Sequence, residues 1–231
     1  MYKKYFKRIF DFCLSLAALI VLLPLMLMLI VVGACKMGGN PFFVQLRPGK
    51  KDKHGNERIF RLIKFRTMDN RRDENGKLLP DSVRLNKYGK MLRNTSLDEL
   101  PELINILKGD MSIIGPRPQL VRDMVFMTDE QRRRHDVRPG LSGLAQVRGR
   151  NNITWEEKLA YDLEYIKNIT FLGDIKIILE TLWKAFVKQA DISTEGMETA
   201  EDFGDYLLRV GEVDNDTYTE CQEKARELLN V

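Results

Sequence analysis

The feature that most limits this chain is an uncharged run of 24 residues, Phe12 to Cys35, with Pro24 at its centre. Lys3, Lys4, Lys7 and Arg8 precede the run and Lys36 follows it. As one straight helix it would reach about 36 Å, against about 30 Å for a hydrocarbon core. A spanning helix therefore fits. Pro24, however, removes a backbone hydrogen bond at mid-length and bends the helix. Arg47, Lys50, Lys51 and Lys53 also carry the positive charge on beyond Lys36, and positive flanks are held in the cytoplasm. A helix that enters, bends at Pro24 and leaves on the same face meets both facts, so the residues leave re-entrant and spanning helices open. Val32-Gly33-Ala34-Cys35 also looks like a lipoprotein cleavage box, but the run is long for a signal peptide, and export would carry the basic body outside.

The charge is uneven. From Asp191 onward there are 3 Lys/Arg against 12 Asp/Glu, so residues 1–190 carry +13 of a chain whose net charge is +4. A basic body points to anionic partners such as phosphates or lipid headgroups. Nucleic acid is the poorer match, because no reading motif or platform of aromatic and basic residues is present. Cys13, Cys35 and Cys221 are odd in number and lack CxxC spacing, and His54 and His135 are the only histidines. This argues for a reduced, cytosol-facing protein without a zinc site or disulfide framework. At 231 residues the chain suits one domain with an appendage.

Pro41–Gly49 and Ile59–Met68, separated by a charged turn at His54-Gly55-Asn56, predict a β-hairpin. A period of two places Phe60, Leu62, Lys64 and Arg66 on one face. Lys64 and Arg66 then form either a phosphate clamp or a solvated edge. A helix is predicted from Ser82 to Arg93. Thr95-x-x-Asp98 and Ser96-x-x-Glu99 follow as overlapping capping boxes ahead of Leu97, Leu100, Leu103, Ile104 and Leu107. Asp98 and Glu99 could be no more than helix caps. The positive end of a helix dipole would also keep a carboxylate ionised, able to attack phosphorus or hold Mg²⁺.

Arg117, between Pro116 and Pro118, has a restricted backbone and the side chain suited to bidentate phosphate contact. A helix is expected from Leu120 to His135. Val137–Arg150 reads as a Gly-rich loop with Arg138, Arg148 and Arg150, lacking P-loop or dinucleotide spacing. It is an anion cradle or a tight turn. Trp155–Lys167 and Phe171–Lys188 read as helices. The second is amphipathic, with Ile175, Ile178, Leu179, Leu182 and Phe186 in one stripe. Two helical pieces, Ala200–Val210 and Asp216–Leu229, make up the acidic tail.

The ordered motifs RPG (Arg47–Gly49), KFRTM (Lys64–Met68), SLDELPELINILKGDMSIIGPRP (Ser96–Pro118) and VRPGLSGLAQVRGRN (Val137–Asn151) closely resemble the bacterial sugar transferase family, the small monotopic phosphoglycosyl transferases. The likeness covers roughly residues 1–203. It implies an α+β fold, mainly α: one compact domain with a short β-hairpin, an N-terminal re-entrant membrane helix broken near Pro24, and amphipathic interfacial helices. The corresponding divisions are a membrane helix over 1–36, a cytosolic catalytic domain over 37–203 and an acidic extension over 204–231. Relatives often carry Ser before that proline, and this chain has Leu23.

The resemblance further implies transfer of a phosphosugar from a UDP-sugar to undecaprenyl (polyprenyl) phosphate, with release of UMP, on the cytoplasmic face of the bacterial inner membrane. This is the first membrane step of glycoconjugate and polysaccharide assembly. Asp98 would be the nucleophile of a covalent phosphosugar intermediate. Mg²⁺ would be required, held by Asp98 and Glu99. Lys64, Arg66, Arg93, Arg117, Arg138 and Arg150 would surround the phosphates, and Asp174 matches a recurrent acid of open role. The short form leans toward an N-acetylated sugar. A direct displacement without covalent intermediate is the rival mechanism, and assembly of identical chains stays open.

Overall fold

The computed structural model describes residues 1–149, 153–186 and 201–230. The long apolar run becomes α1 (Lys7–Met37), 31 residues with Pro24 inside, entered through one wide turn at Tyr2–Phe6. Gly38, in the left-handed region at φ 65°, ends it. The helix is about 46 Å long at 1.5 Å per residue. One stripe of it is buried along the whole length: Asp11, Ser15, Met26, Leu29, Gly33 and Met37. The opposite side exposes Ile9, Leu16, Ile20, Leu23, Leu27 and Val31. A helix docked on the body in this way is apolar towards both the protein and its surroundings.

The hairpin forms as expected, from β1 (Phe42–Lys51) and β2 (Glu57–Phe65), antiparallel with Phe42 opposite Phe65 and Pro48 opposite Ile59. The register shifts between Pro48 and Lys51. A Cβ on Gly49 would stand 2.9 Å from the Arg58 carbonyl, so the RPG triplet builds this irregularity. Phe60 and Leu62 are buried with Leu103, Ile106 and Met111, and Ala18, Leu19 and Leu22 of α1 close that cluster.

The predicted helix from Ser82 to Arg93 is two: α2 (Asp81–Arg84) and α3 (Lys87–Thr95). Asn86 divides them, its side chain accepting from Gly89 N as an N-cap. The capping boxes do not form. Ser96 instead takes the left-handed conformation (φ 56°) and closes α3, while Thr95 Oγ1 donates back to the Met91 and Leu92 carbonyls. The chain then makes a tight turn at Leu97–Glu99 before α4 (Glu102–Lys108). Asn105 sets α4 against the hairpin: its Oδ1 accepts from Ile63 N at 3.1 Å, and its Nδ2 donates to Arg61 O at 2.8 Å.

The expected helix from Leu120 to His135 is also broken, into α5 (Val121–Met124), α6 (Asp129–Arg132) and a turn at Arg133–Asp136. Thr128 starts α6 with a true capping box to Gln131. The Gly-rich segment is no open loop either. Ser112–Ile114 (β3) and Gly140–Ser142 (β4) pair in parallel, and α7 (Leu144–Arg148) follows. A Cβ on Gly140 would lie 2.1 Å from Gly115 N, and one on Gly143 would lie 2.2 Å from Gly115 O. These glycines allow two backbones to touch, as a tight turn requires.

Helices α8 (Trp155–Lys167) and α9 (Phe171–Phe186) sit where expected. On α9, Asp174 and Ile177 face the core, while Leu172, Leu179, Leu182 and Trp183 are exposed. The apolar stripe therefore divides: Ile178 packs inward beside Ile177, and Leu179 and Leu182 face out. The Phe186 side chain lies outside the described residues. The tail forms α10 (Phe203–Val210) and α11 (Asn215–Leu229). It is docked: Phe203 and Leu207 pack on Met127, Trp155 and Leu159, and Ala225 packs on Val121 and Met124. Phe203 N donates to Asp123 Oδ1 at 2.9 Å.

Candidate active site

Lys64, at the end of β2, faces inward with Phe60 and Leu62, as its place in the alternation requires. Asn105 fixes α4 under the same strand, so the ammonium meets two carboxylates: Glu99 Oε1 at 3.0 Å and Glu102 Oε1 at 3.1 Å. The latter is an ion-pair contact that leaves Glu102 Oε1 without a hydrogen bond. Arg117 Nη2 donates to the same Glu99 oxygen. Its backbone is gripped from two directions. Arg134 Nη2 donates to Arg117 O at 2.6 Å, and Arg47 Nη1 donates to Pro118 O at 3.1 Å. Arg134 is in turn held by Asp162 Oδ2, through Nε at 2.9 Å and Nη2 at 2.6 Å.

The two acids of the dyad are treated differently. Burial alone would raise Glu99, but the charges and hydrogen bonds of Arg117 and Lys64 outweigh it and hold this carboxyl well below the usual range. Asp98 is pushed up to about 6, by burial first and then by the charge on Glu99, against the pull of Lys64, Arg117 and Arg93. No side chain among the described residues donates to Asp98. Glu102, buried and facing the same Glu99 charge, is pushed up to about 7. Glu102 was not singled out from the sequence. Its place three residues after Glu99, on the next helical turn, was the available signal.

Arg93 joins the group, lining the same cavity as Glu99 and Arg117 and donating from Nε to Thr67 Oγ1 at 3.1 Å. Arg66 does not: it follows β2, where its backbone N–H donates to Pro41 O, and among the described residues its side chain pairs with no carboxylate of the cluster. Arg138 is elsewhere as well. Its Nε donates to Gly109 O at 2.7 Å, beyond the far end of α4, where Arg8 of α1 also holds the Ile106 and Leu107 carbonyls at 2.5 and 2.7 Å. Both side chains serve the C-terminal end of that helix. Arg150 lies outside the described residues. Asp174 is buried away from the dyad and accepts from Tyr2 and Tyr165 hydroxyls, both at 2.8 Å, and from Lys7 Nζ at 2.6 Å. It ties the start of α1 to α8 and α9. Pro24 lies within α1, on the stretch facing the hairpin and α3, and α1 continues as helix on both sides of it, so the expected break does not interrupt the helix there.

The cavity measures about 600 Å³. Its lining combines polar side chains, among them Glu99, Arg117, Lys158 and Asp162, with apolar ones, among them Ala18 and Leu22 of α1 and Ile178 and Leu182 of α9. Asp98 is set one residue back from the lining. Cations beside crowded carboxylates thus share a cavity with two helices whose other faces expose apolar side chains.

Residues 2–188 match the Bacterial sugar transferase family, and the chain belongs to it. It is 45% identical over 197 residues to the sugar transferase EpsL of Bacillus subtilis (strain 168), covering 85% of this chain and 95% of that one. It is 35% identical over 194 residues to the exopolysaccharide production protein ExoY of Sinorhizobium fredii (strain NBRC 101917 / NGR234), covering 76% and 83%. A larger relative, the UDP-glucose:undecaprenyl-phosphate glucose-1-phosphate transferase of Klebsiella pneumoniae, is 34% identical over 200 residues, 80% of this chain and 41% of that protein.

Proposed function

We propose that this chain moves a sugar phosphate from a UDP-sugar to undecaprenyl (polyprenyl) phosphate, and that Asp98 is the nucleophile. The observation carrying the assignment is the division of labour in the dyad. Glu99 is fixed by two cations and is a poor nucleophile, whereas no side chain among the described residues donates to Asp98. An Asp98 oxygen forms a bond to the sugar-linked phosphorus, the bond from that phosphorus to the bridging oxygen breaks, and UMP leaves with the electron pair. An oxygen of the lipid phosphate then attacks the phosphoaspartate. The acyl-phosphate bond breaks, the sugar passes to the lipid as a diphosphate, and the Asp98 carboxylate is restored. Arg117, Arg93 and Lys64 stabilise charge on the transferring phosphoryl group. The name of the Klebsiella relative supports both substrates.

Mg²⁺ fits the residues present. Asp98 and Glu102 are both raised, by burial first and then by the charge on Glu99, so the site crowds hard oxygen donors whose negative charge a divalent cation relieves. No group of three or more such side chains forms a cage among the described residues. Mg²⁺ commonly uses one or two carboxylates and completes its shell with phosphate oxygens and water. Asp98 and Glu99, with Glu102 beside them, would hold it. When bound it would neutralise the diphosphate and ease departure of the leaving group.

The lipid chain is assigned to the apolar side chains that α1 and α9 contribute to the cavity, and the exposed faces of those helices to the cytoplasmic leaflet. Packing of α1 on the body from Asp11 to Met37 supports a helix that enters and leaves on one side, because a helix crossing alone would have to part from the body. Labelled donor, mixed with protein and no lipid phosphate, tests the route. Label bound covalently to wild type and absent from Asp98→Asn supports it. Turnover with no trapped label would move the mechanism to direct displacement.

A further inference from the structure

Unpaired polar atoms are concentrated among the cavity-lining residues of α7 and α8, two helices that pack on each other and so form one wall of it. Among the described residues, five buried side-chain nitrogen or oxygen atoms have no hydrogen-bond partner, and three of them belong to two residues lining this cavity: Gln146 Oε1, Gln146 Nε2 and Asp162 Oδ1. Folded proteins leave few such atoms, because each has given up water without a replacement. Asp162 is 1% exposed, and its other oxygen is occupied by Arg134. Gln146 stands on α7, placed by the close approach of Gly143 to Gly115. Lys158, one turn before Asp162 on α8, lines the same wall and lies 4.0 Å from the Trp155 ring centre.

We infer that this wall binds a hydroxyl-bearing ring of the nucleotide-sugar donor. The inference rests on the donor reading above. The wall offers two free acceptors and one free amide donor, with the Lys158 ammonium beside them. Its complement must supply at least two donors and accept in return. A vicinal pair of hydroxyls does so, since each donates one proton and accepts on its oxygen. A uracil edge does not, because its single N–H leaves the second acceptor facing a carbonyl. The wall also adjoins the phosphate site directly: Asp162 holds Arg134, which holds the Arg117 carbonyl. A ring one bond from the phosphates would therefore meet it. Both the ribose and the hexose of a UDP-sugar have this chemistry.

The test is Gln146→Leu in the full chain, in detergent with Mg²⁺. Binding of UMP and of UDP-glucose, UDP-galactose and UDP-N-acetylglucosamine is measured by calorimetry, alongside the melting temperature. A wall built for ligand predicts at least tenfold weaker donor binding with an unchanged or higher melting temperature, because Leu removes two unpaired polar atoms from the interior. Gln146→Glu retains an acceptor and should lose less. Equal weakening for UMP assigns the ribose; weakening for the UDP-sugars alone assigns the hexose. Wild-type binding left intact in Gln146→Leu overturns the subsite while leaving the proposed function standing. A wild type that binds neither UMP nor any of the UDP-sugars would sink the parent reading instead.

Discussion

Two acidic centres in this molecule, Asp174 and the dyad, are built on opposite terms. At Asp174 the side chain is 0% exposed and its acceptors are taken, by two phenols and an ammonium. At the dyad, three carboxylates crowd two cations. Among the described residues, Glu99 pairs with both, Glu102 shares Lys64 yet keeps an oxygen without a hydrogen bond, and no side chain donates to Asp98. The first centre is satisfied and therefore stabilises the fold. The second is left unsatisfied, which costs stability and leaves a carboxylate free to react. The difference shows that burial and charge do not mark a site by themselves. Incomplete pairing does.

Substituting one side chain in each centre should separate these roles. Asp98→Asn is expected to lower UMP release by about a thousandfold or more, the scale of losing a nucleophile. Its melting temperature should hold or rise, since a crowded negative charge has gone. Asp174→Ala should do the reverse. It strands Lys7 and both hydroxyls in the interior, costing about 3 kcal/mol of stability, read by denaturant or thermal melting. Turnover per folded molecule, assayed well below the melting temperature, should stay within a few-fold of wild type. Loss of turnover in Asp174→Ala without loss of stability would erase the contrast.

The satisfied parts of the molecule were the easier ones to read from sequence. Alternation in Ile59–Phe65 placed Lys64 on the face where the structure has it, and helical periodicity located α8 and α9. Reading failed where a side chain's role depended on a distant partner. Thr95 and Ser96 have the spacing of capping residues, yet Ser96 closes α3 in a left-handed turn. Asn86 looked like one more helical residue, but it caps. Arg138 resembles a phosphate ligand by its neighbours, and the Gly109 carbonyl it serves is 29 residues away in sequence. The loop glycines left an anion cradle and a tight turn both open, because the neighbour they pack on, the Gly115 backbone, is distant in sequence. In each case the local residues permitted two answers, and tertiary packing chose between them.

Arg117→Lys probes the cationic side of the unsatisfied centre. Lysine retains the charge but loses the planar fork that spans Glu99 and a phosphate at once. A roughly tenfold fall in kcat/KM for the donor is expected, with KM for the lipid phosphate unchanged. Arg138→Lys should have far less effect on either constant, since its guanidinium serves a helix end. Equal losses in the two variants would return Arg138 to the substrate.

The smallest effect is also the most direct measure of crowding. Asp98 titrates near 6 because burial and the neighbouring Glu99 charge both oppose its ionisation. Below that pH it is protonated and cannot attack, so kcat/KM should fall tenfold per pH unit on the acid limb. Stability moves the other way. The folded state holds a proton that the unfolded state, titrating near 3.8, has already released. Between about pH 6 and 4 this group therefore makes folding more favourable as pH drops. Glu99→Gln removes the like charge, and the acid limb of the residual activity should move to lower pH by roughly one unit or less. A limb that stays in place would assign the raised ionisation to burial alone, and the dyad would then be two independent acids rather than a coupled pair.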